Sequence, residues 1–425
     1  MLPQVTKILV LTILLVGLLT LPISARIRHV PGEYQTIQDG INDCSGGDTI
    51  LVHPGTYSEH LNFNGQYLTL ASMFITTGEY SYIDSTILDG SGNGSVVTIN
   101  HGEDRGSQLV GFTIQNGREE EGAGVHISQS DPVVANNIII NNVAHMEVGG
   151  GEGGGIYCYS CSPLIMNNLI FGNSTSGNYG GSGGGMYCDQ ASPVLVNNTI
   201  TRNNSNSLGG GIRCYRTNAI ITNTIIWNNH AIEDGDNIHL TECNPSFTYC
   251  DIYAGWPGTG NINSNPEFRD PNSGDFHLMS SEYGYPYDSP CIDIGNPDIR
   301  DHLLDSLWGL GTSLSDMGAF GGSDSSESGI DDYTENIPAV FSLMQNYPNP
   351  FNPGTTIGFT LAQSQAVSLR IYDILGREIA TLIDRRTAAG RYDIGFEAAN
   401  LSSGMYFYTL RTGNHSESRA MILLK

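Results

Sequence analysis

From Gly122 onward, short apolar runs alternate with Gly, Asn and Pro in a pattern that repeats four times. G-A-G-V-H-I-S-Q-S-D-P-V-V-A-N-N-I-I-I-N-N starts at Gly122 and G-G-G-I-Y-C-Y-S-C-S-P-L-I-M-N-N-L-I-F-G-N at Gly153. G-G-G-M-Y-C-D-Q-A-S-P-V-L-V-N-N-T-I-T-R-N follows at Gly183, and G-G-G-I-R-C-Y-R-T-N-A-I-I-T-N-T-I-I-W-N-N at Gly209. Pro132, Pro163, Pro193 and Asn218 fall at equivalent places, 31, 30 and 25 residues apart. A fixed period of roughly 20–50 residues marks a solenoid, in which each unit buries its apolar face only by stacking on the next. The apolar pieces are strand-sized and broken by turn residues, so each unit reads as one turn of a parallel β-helix.

Alternation along a strand then assigns faces. Val125, Ile156, Met186, Ile212 and Ile238 form one inward column, and Ile127, Cys158, Cys188, Cys214 and Leu240 a second. The three Cys behave there as small buried hydrophobes, packed in the core rather than bridged. Asn137, Asn168, Asn198 and Asn223 form a third column, and Asn142, Asn173, Asn203 and Asn228 a fourth. Asn tolerates turn dihedrals, and its amide can bond to the rungs above and below, so both columns are expected to be structural ladders. Leu109–Ile114 reads as an earlier rung, with shorter pieces at 49–52 and 96–99.

Both ends of the chain depart from this pattern. Lys7 precedes an almost unbroken apolar stretch from Ile8 to Ile23, with small residues at Ser24-Ala25. Residues 1–25 therefore read as a secretory leader. Residues 323–337 are rich in Ser, Asp and Glu and read as a linker. Beyond them, alternating strands are expected at 367–372, 392–396 and 405–410, as in a small β-sandwich. The organisation is thus a leader at 1–25, a β-helix over 26–322, a linker at 323–337 and a sandwich over 338–425.

Composition narrows the function. Charged residues are 14% of the chain and net charge is −25, with only two Lys, Lys7 and Lys425. Nucleic-acid binding through clustered cations is excluded as a main function. Eight Cys in an exported chain permit disulfides without defining them. A monomer is expected.

Certain segments resemble known families. V-P-G-E-Y-Q-T-I-Q-D-G-I (30–41) and G-D-T-I-L-V-H-P-G-T-Y-S-E (47–59) resemble the opening of pectin-lyase-like right-handed β-helix proteins, where an amphipathic segment caps the first rung. S-P-C-I-D-I-G-N-P (289–297) and D-M-G-A-F-G-G (316–322) resemble the closing segment of exported bacterial β-helix repeat proteins. N-Y-P-N-P-F-N-P-G-T-T-I (346–357), L-R-I-Y-D-I-L-G-R-E-I (369–379) and L-S-S-G-M-Y-F-Y-T-L-R (401–411) resemble the Ig-like, type A C-terminal sorting domain of type IX secretion cargo. That resemblance implies recognition by the type IX machinery, passage across the outer membrane and a secreted or cell-surface destination. The expected fold is all-β: a right-handed parallel β-helix followed by an Ig-like sandwich.

The chemistry is less defined. The Asn-Thr-Asp, Asp-Asp and Gly-His-Gly patterns of polygalacturonase-like enzymes do not occur within 26–322. One outward column, His126, Tyr157, Tyr187, Arg213 and His239, is flanked by another containing Tyr159, Asp189 and Tyr215. Aromatic faces stack on sugar rings and polar groups bond hydroxyls, so this stripe is the candidate glycan-binding face. The same residues also suit an exposed strand on β propensity alone. Glu147, Glu152 and Asp189 are candidate catalytic carboxylates should a polysaccharide be cleaved there. D-G-S-G-N-G (89–94) resembles half of a calcium loop, making Asp89 and Asn93 a Ca²⁺ candidate; no other cofactor is expected.

Overall fold

A computed structural model describes residues 25–178, 180–299, 310–321 and 341–424, except 347, 362–364, 375, 388–389, 399–400 and 414. Residues 1–24 of the expected leader and the expected linker 323–337 lie outside the described residues.

The first body is a parallel β-helix. Its strands sort into four sheets, called here A, B, C and D, of nine, eight, seven and five strands, and every strand pairs in parallel with the rung above or below. One complete rung contributes Ile156–Tyr159 to sheet C, Leu164–Met166 to sheet A, Leu169–Phe171 to sheet B and Ser174–Gly177 to sheet D. Register is strict: Ile127, Cys158, Cys188, Cys214 and Leu240 are successive Cα partners. Cys158, Cys188 and Cys214 are buried, and all eight cysteines are free thiols. Helix α1, Ile37–Asn42, is capped by the Thr36 side chain and buries Ile37 and Ile41 over the first rung. Beside it, Arg28 donates from Nε to the buried Asp48 at 2.8 Å. Burial disfavours the Asp48 charge, but the backbone amides of Ser45 and Arg26 and the Arg28 guanidinium prevail and hold its carboxyl at about 2.

The Asn columns exist, with one correction. Asn137, Asn168 and Asn198 are joined amide to amide at 3.1 Å, but the next rung supplies Thr224, whose hydroxyl accepts from the Asn198 backbone. Likewise Asn142, Asn173 and Asn203 lead to Asn229 and then Asn237. Asn223 and Asn228, expected in the ladders, are the corner residues before them, at φ of 50° and 57°. The cause is a register error: Val194 pairs with Ile220, so Ala219 rather than Asn218 is equivalent to Pro193. In the doublets at 136–137, 141–142, 167–168, 197–198 and 228–229 the first Asn takes the left-handed corner, which Asn tolerates better than most side chains, and the second points inward to the ladder.

Sheet A is buried on both faces. Its outer side chains Val133, Ala135, Leu164, Met166, Val194 and Val196 pack under a returning segment that brings Phe268, Phe276, Leu278, Met317 and Phe320. Polar ties fasten it: Asn197 Nδ2 donates to the Asp316 carbonyl at 2.7 Å, and the Ala319 amide to Thr199 Oγ1 at 3.0 Å.

The C-terminal body is an antiparallel sandwich. A three-stranded sheet of Ser342–Leu343, Gly354–Leu361 and Gly390–Glu397 accompanies a four-stranded sheet of Gln365–Asp373, Glu378–Thr387, Gly404–Thr412 and Ser416–Leu423. Ile357, Phe359, Leu369, Ile371, Tyr408 and Leu410 are among the residues of its core. Tyr408 is fully buried because its hydroxyl is satisfied, donating to the Met344 carbonyl at 2.7 Å and accepting from the Asn346 amide at 2.8 Å. Asn346 in turn donates to Thr355 Oγ1 and the Pro348 carbonyl, which explains the N-Y-P-N-P string.

Candidate functional site

The stripe lies on sheet C. In-register pairing sets Asn62, Thr98, His126, Tyr157, Tyr187, Arg213 and His239 in one row along the outer face. From the Val97 strand onward, each strand of the row is entered through a Gly at positive φ, as at Gly153 (68°) and Gly183 (69°). A side chain at Gly183 would run into the Met186 carbonyl, so this turn requires glycine.

The ring faces are not open to solvent, which corrects the expected exposed stripe. Tyr157, Tyr187 and Arg213 are only 5%, 7% and 7% exposed. The reason is rung spacing: rings about 4.8 Å apart cover one another. Tyr157 stacks on Tyr187 with centroids 5.8 Å apart at 22°, and His126 leans on Tyr157 at 5.3 Å. The half-buried rim is formed by His126, Tyr159, Asp189, Tyr215 and His239. Arg216 lies 4.7 Å over the Tyr215 ring and pairs with Glu242 at 2.7 Å.

Glu152 is drawn into this row. Burial, reinforced by the charges of Glu121 and Asp189 and opposed chiefly by Arg213, pushes its carboxyl up to about 7. Burial also raises the Tyr157 and Tyr187 hydroxyls and the Asp189 carboxyl above their ordinary values. Glu147 does not join the cluster: it is exposed beyond Val143–Met146, where its carbonyl accepts from Asn178. Glu121, exposed at its side chain, lies one rung from Glu152, and their backbones are bridged in parallel.

Three polar atoms on this face are buried with no described hydrogen-bond partner: Arg213 Nε and His239 Nδ1 in the row, and Asp189 Oδ1 in the row beside it. They sit on three successive rungs of one face. Arg213 spends one Nη1 bond on the Cys214 carbonyl at 2.7 Å, and His239 Nε2 lies 3.5 Å from Asp234. Buried polar groups are normally paired, so this run marks where a ligand or ordered water has groups to satisfy.

The calcium candidate resolves into a turn. Asp89 accepts from the Ser91 amide at 2.7 Å and from the Gln115 and Asn116 side chains at 2.8 Å, tying one rung to the next. Asn93 donates its backbone N–H to the Gly90 carbonyl. Among the described residues no three His, Cys, Asp or Glu side chains are grouped to hold a metal ion.

Residues 345–424 match the family described as the secretion system C-terminal sorting domain. The chain therefore carries a type IX sorting domain behind a parallel β-helix. It is cargo of that secretion machinery, destined for the cell surface or the medium. No curated protein matches the chain.

Proposed function

We propose that the β-helix is the working part of the exported protein and recognises a glycan at the cell surface or in the medium, through the sheet C face. The observation that carries this reading is the run of unpartnered Asp189 Oδ1, Arg213 Nε and His239 Nδ1 beside the Tyr157–Tyr187 stack. A donor and an imidazole nitrogen one rung apart, with an acceptor on the preceding rung in the adjacent row, suit hydroxyls of a sugar chain lying obliquely across the sheet. Tyr159 and Tyr215 on the rim offer partly open rings, and the buried stack holds the row rigid. In this reading a leader at 1–25 and the 338–425 region serve export, and the β-helix of the pectin-lyase-like type acts as a monomer.

One observation favours a second reading. Glu152, half-buried beside Glu121 and Asp189 and with its carboxyl raised to about 7, has the poise of a general acid, so a polysaccharide lyase or hydrolase acting on the same face is the alternative. A glycan array on the full chain, with and without Ca²⁺, followed by product analysis on each hit, separates them. Saturable binding without products, lost in Asp189→Asn, supports recognition. Products lost in Glu152→Gln support catalysis, and no binding on any glycan leaves the face structural.

A further inference from the structure

The solenoid does not end flush. Sheet D stops at His230–Ala231, whereas sheets C, A and B continue for another rung with Ile238–Thr241, Ser246–Thr248 and Asp251–Ile252. Where the next sheet D strand would lie, the chain turns away through residues 253–256. The gap is a cavity of about 420 Å³ lined by Glu233, Asp234, Asp236, Asn237, Tyr253 and Trp256, among others, with no Lys or Arg in its wall.

Its walls are chemically divided. Asp236 Oδ1 accepts from the Ala231 amide at 2.8 Å and lies 3.1 Å from His230 Nδ1, Asp234 Oδ1 accepts from the Gly235 amide at 2.8 Å, and Glu233 Oε2 accepts from Ser207 Oγ at 2.8 Å. Each carboxylate is thus anchored through one oxygen. Asp234 Oδ2 lies 3.5 Å from His239 Nε2; the second oxygens of Asp236 and Glu233 have no described partner. On the other side Trp256 is backed by Phe247 at 5.2 Å, and Tyr253, edge-on to Trp227 at 5.1 Å, is 55% exposed.

Asn237 is the independent sign of a ligand. It terminates the Asn142–Asn173–Asn203–Asn229 ladder, accepting through Oδ1 from the Asn229 backbone at 3.3 Å and from its side chain at 3.0 Å. The ladder amides before it all donate to a main-chain carbonyl, Asn229 to Ile200 at 2.8 Å for example. Asn237 Nδ2 donates to no described residue, although the residue is 7% exposed and lines the cavity.

We propose that this cavity is a second binding site, distinct from the sheet C face, and that it takes an amino sugar. The carboxylates receive the protonated amine, Tyr253 and Trp256 meet the apolar face of the ring, and Asn237 Nδ2 donates to a ring or hydroxyl oxygen. A simple alkylamine would leave Asn237 unanswered, and a neutral sugar would leave the carboxylates without a cation.

The test is titration of the full chain with a glucosamine tetrasaccharide and its N-acetylated counterpart, by calorimetry and by Trp emission. The expected result is saturable one-to-one binding of the free amine, at least tenfold tighter than the acetylated form. Asp234→Asn with Asp236→Asn keeps the Oδ1 acceptors of the turn and is expected to weaken binding more than tenfold with unchanged thermal unfolding. Tyr253→Ala, at an exposed position, is expected to weaken it as well. Glu119→Gln with Glu120→Gln, removing equal charge elsewhere, leaves it intact. Equal affinity for the two oligosaccharides, retention in the Asp234/Asp236 variant, or equal loss in the Glu119/Glu120 variant overturns the proposal. Loss in Asp189→Asn with retention in the cavity variants overturns it in favour of the sheet C face.

Discussion

Asn173→Ala tests whether the amide ladder holds the solenoid together. Asn173 Oδ1 accepts from the Asn142 backbone and side chain, both at 3.0 Å, and its Nδ2 donates to the Ile139 carbonyl at 2.8 Å. Truncation leaves the Asn142 amide and the Ile139 carbonyl without these partners in a position that is 0% exposed. Asn142 Nδ2 retains the Ile114 carbonyl, and Asn203 Oδ1 retains the residue 173 amide, so neither is orphaned. Two buried groups at roughly 1–3 kcal/mol each, plus a small void, give a loss of about 4 kcal/mol. That is a large part of the roughly 5–15 kcal/mol by which a domain is stable. Urea unfolding of the full chain, followed by emission of Trp227, which lies in the same solenoid, reads the loss. Asn173→Asp provides an internal check. Its carboxylate still accepts from Asn142 but turns a second oxygen on the Ile139 and Phe171 carbonyls and Asn203 Oδ1, so it is destabilised at neutral pH and recovers as acid restores a donor. The exposed control Asn178→Ala is expected to change stability by less than about 0.5 kcal/mol. A loss below about 1 kcal/mol in Asn173→Ala, or no acid recovery in Asn173→Asp, would refute the ladder argument.

The remaining predictions concern charge, the returning segment and export. Glu152 has its folded carboxyl raised from 4.5 to about 7, so the folded state binds the proton more tightly than the unfolded chain. The resulting cost is absent below about pH 4.5, grows through the interval and is complete above about pH 7. Glu152→Gln should therefore stabilise by about 3 kcal/mol at pH 8 and by nothing near pH 4; paired melts at the two pH values check the sign. Phe276 is 1% exposed between Phe171 and Phe268, at 4.9 and 5.3 Å, so Phe276→Ala should cost about 3–5 kcal/mol in urea unfolding, and a cost below about 1 kcal/mol would mean that the returning segment is only draped on sheet A. Deleting 345–424 should leave the protein inside the outer membrane, checked by fractionation and immunoblot; unchanged surface or medium levels would sink the assignment of that segment as the export signal.

Much of the β-helix was legible because parallel stacking makes every rung repeat the one below it. Val125, Ile156, Met186, Ile212 and Ile238 were assigned inward from alternation alone, and they are successive Cα partners in the interior. The same logic failed by one residue at Asn223 and Asn228, because the shorter rung after Gly209 lacks the Pro that marks the phase in the three before it. Only backbone pairing could show that Thr224 and Asn229 enter the ladder.

At the sheet C face, sequence determined which side chains share a row, since the strand period is two. It did not determine their exposure. That depends on rings in adjacent rungs covering one another, and on Glu121 and Glu152 being brought in by turns thirty residues apart in the chain. The absent sheet D strand beside His230–Ala231 is likewise visible only in three dimensions. What the chain by itself determined was the repeat, the alternation and the export tail, all set by local spacing. What only the tertiary structure decided was burial, unpartnered polar atoms and the cavity, because each is a property of what lies opposite a residue rather than beside it.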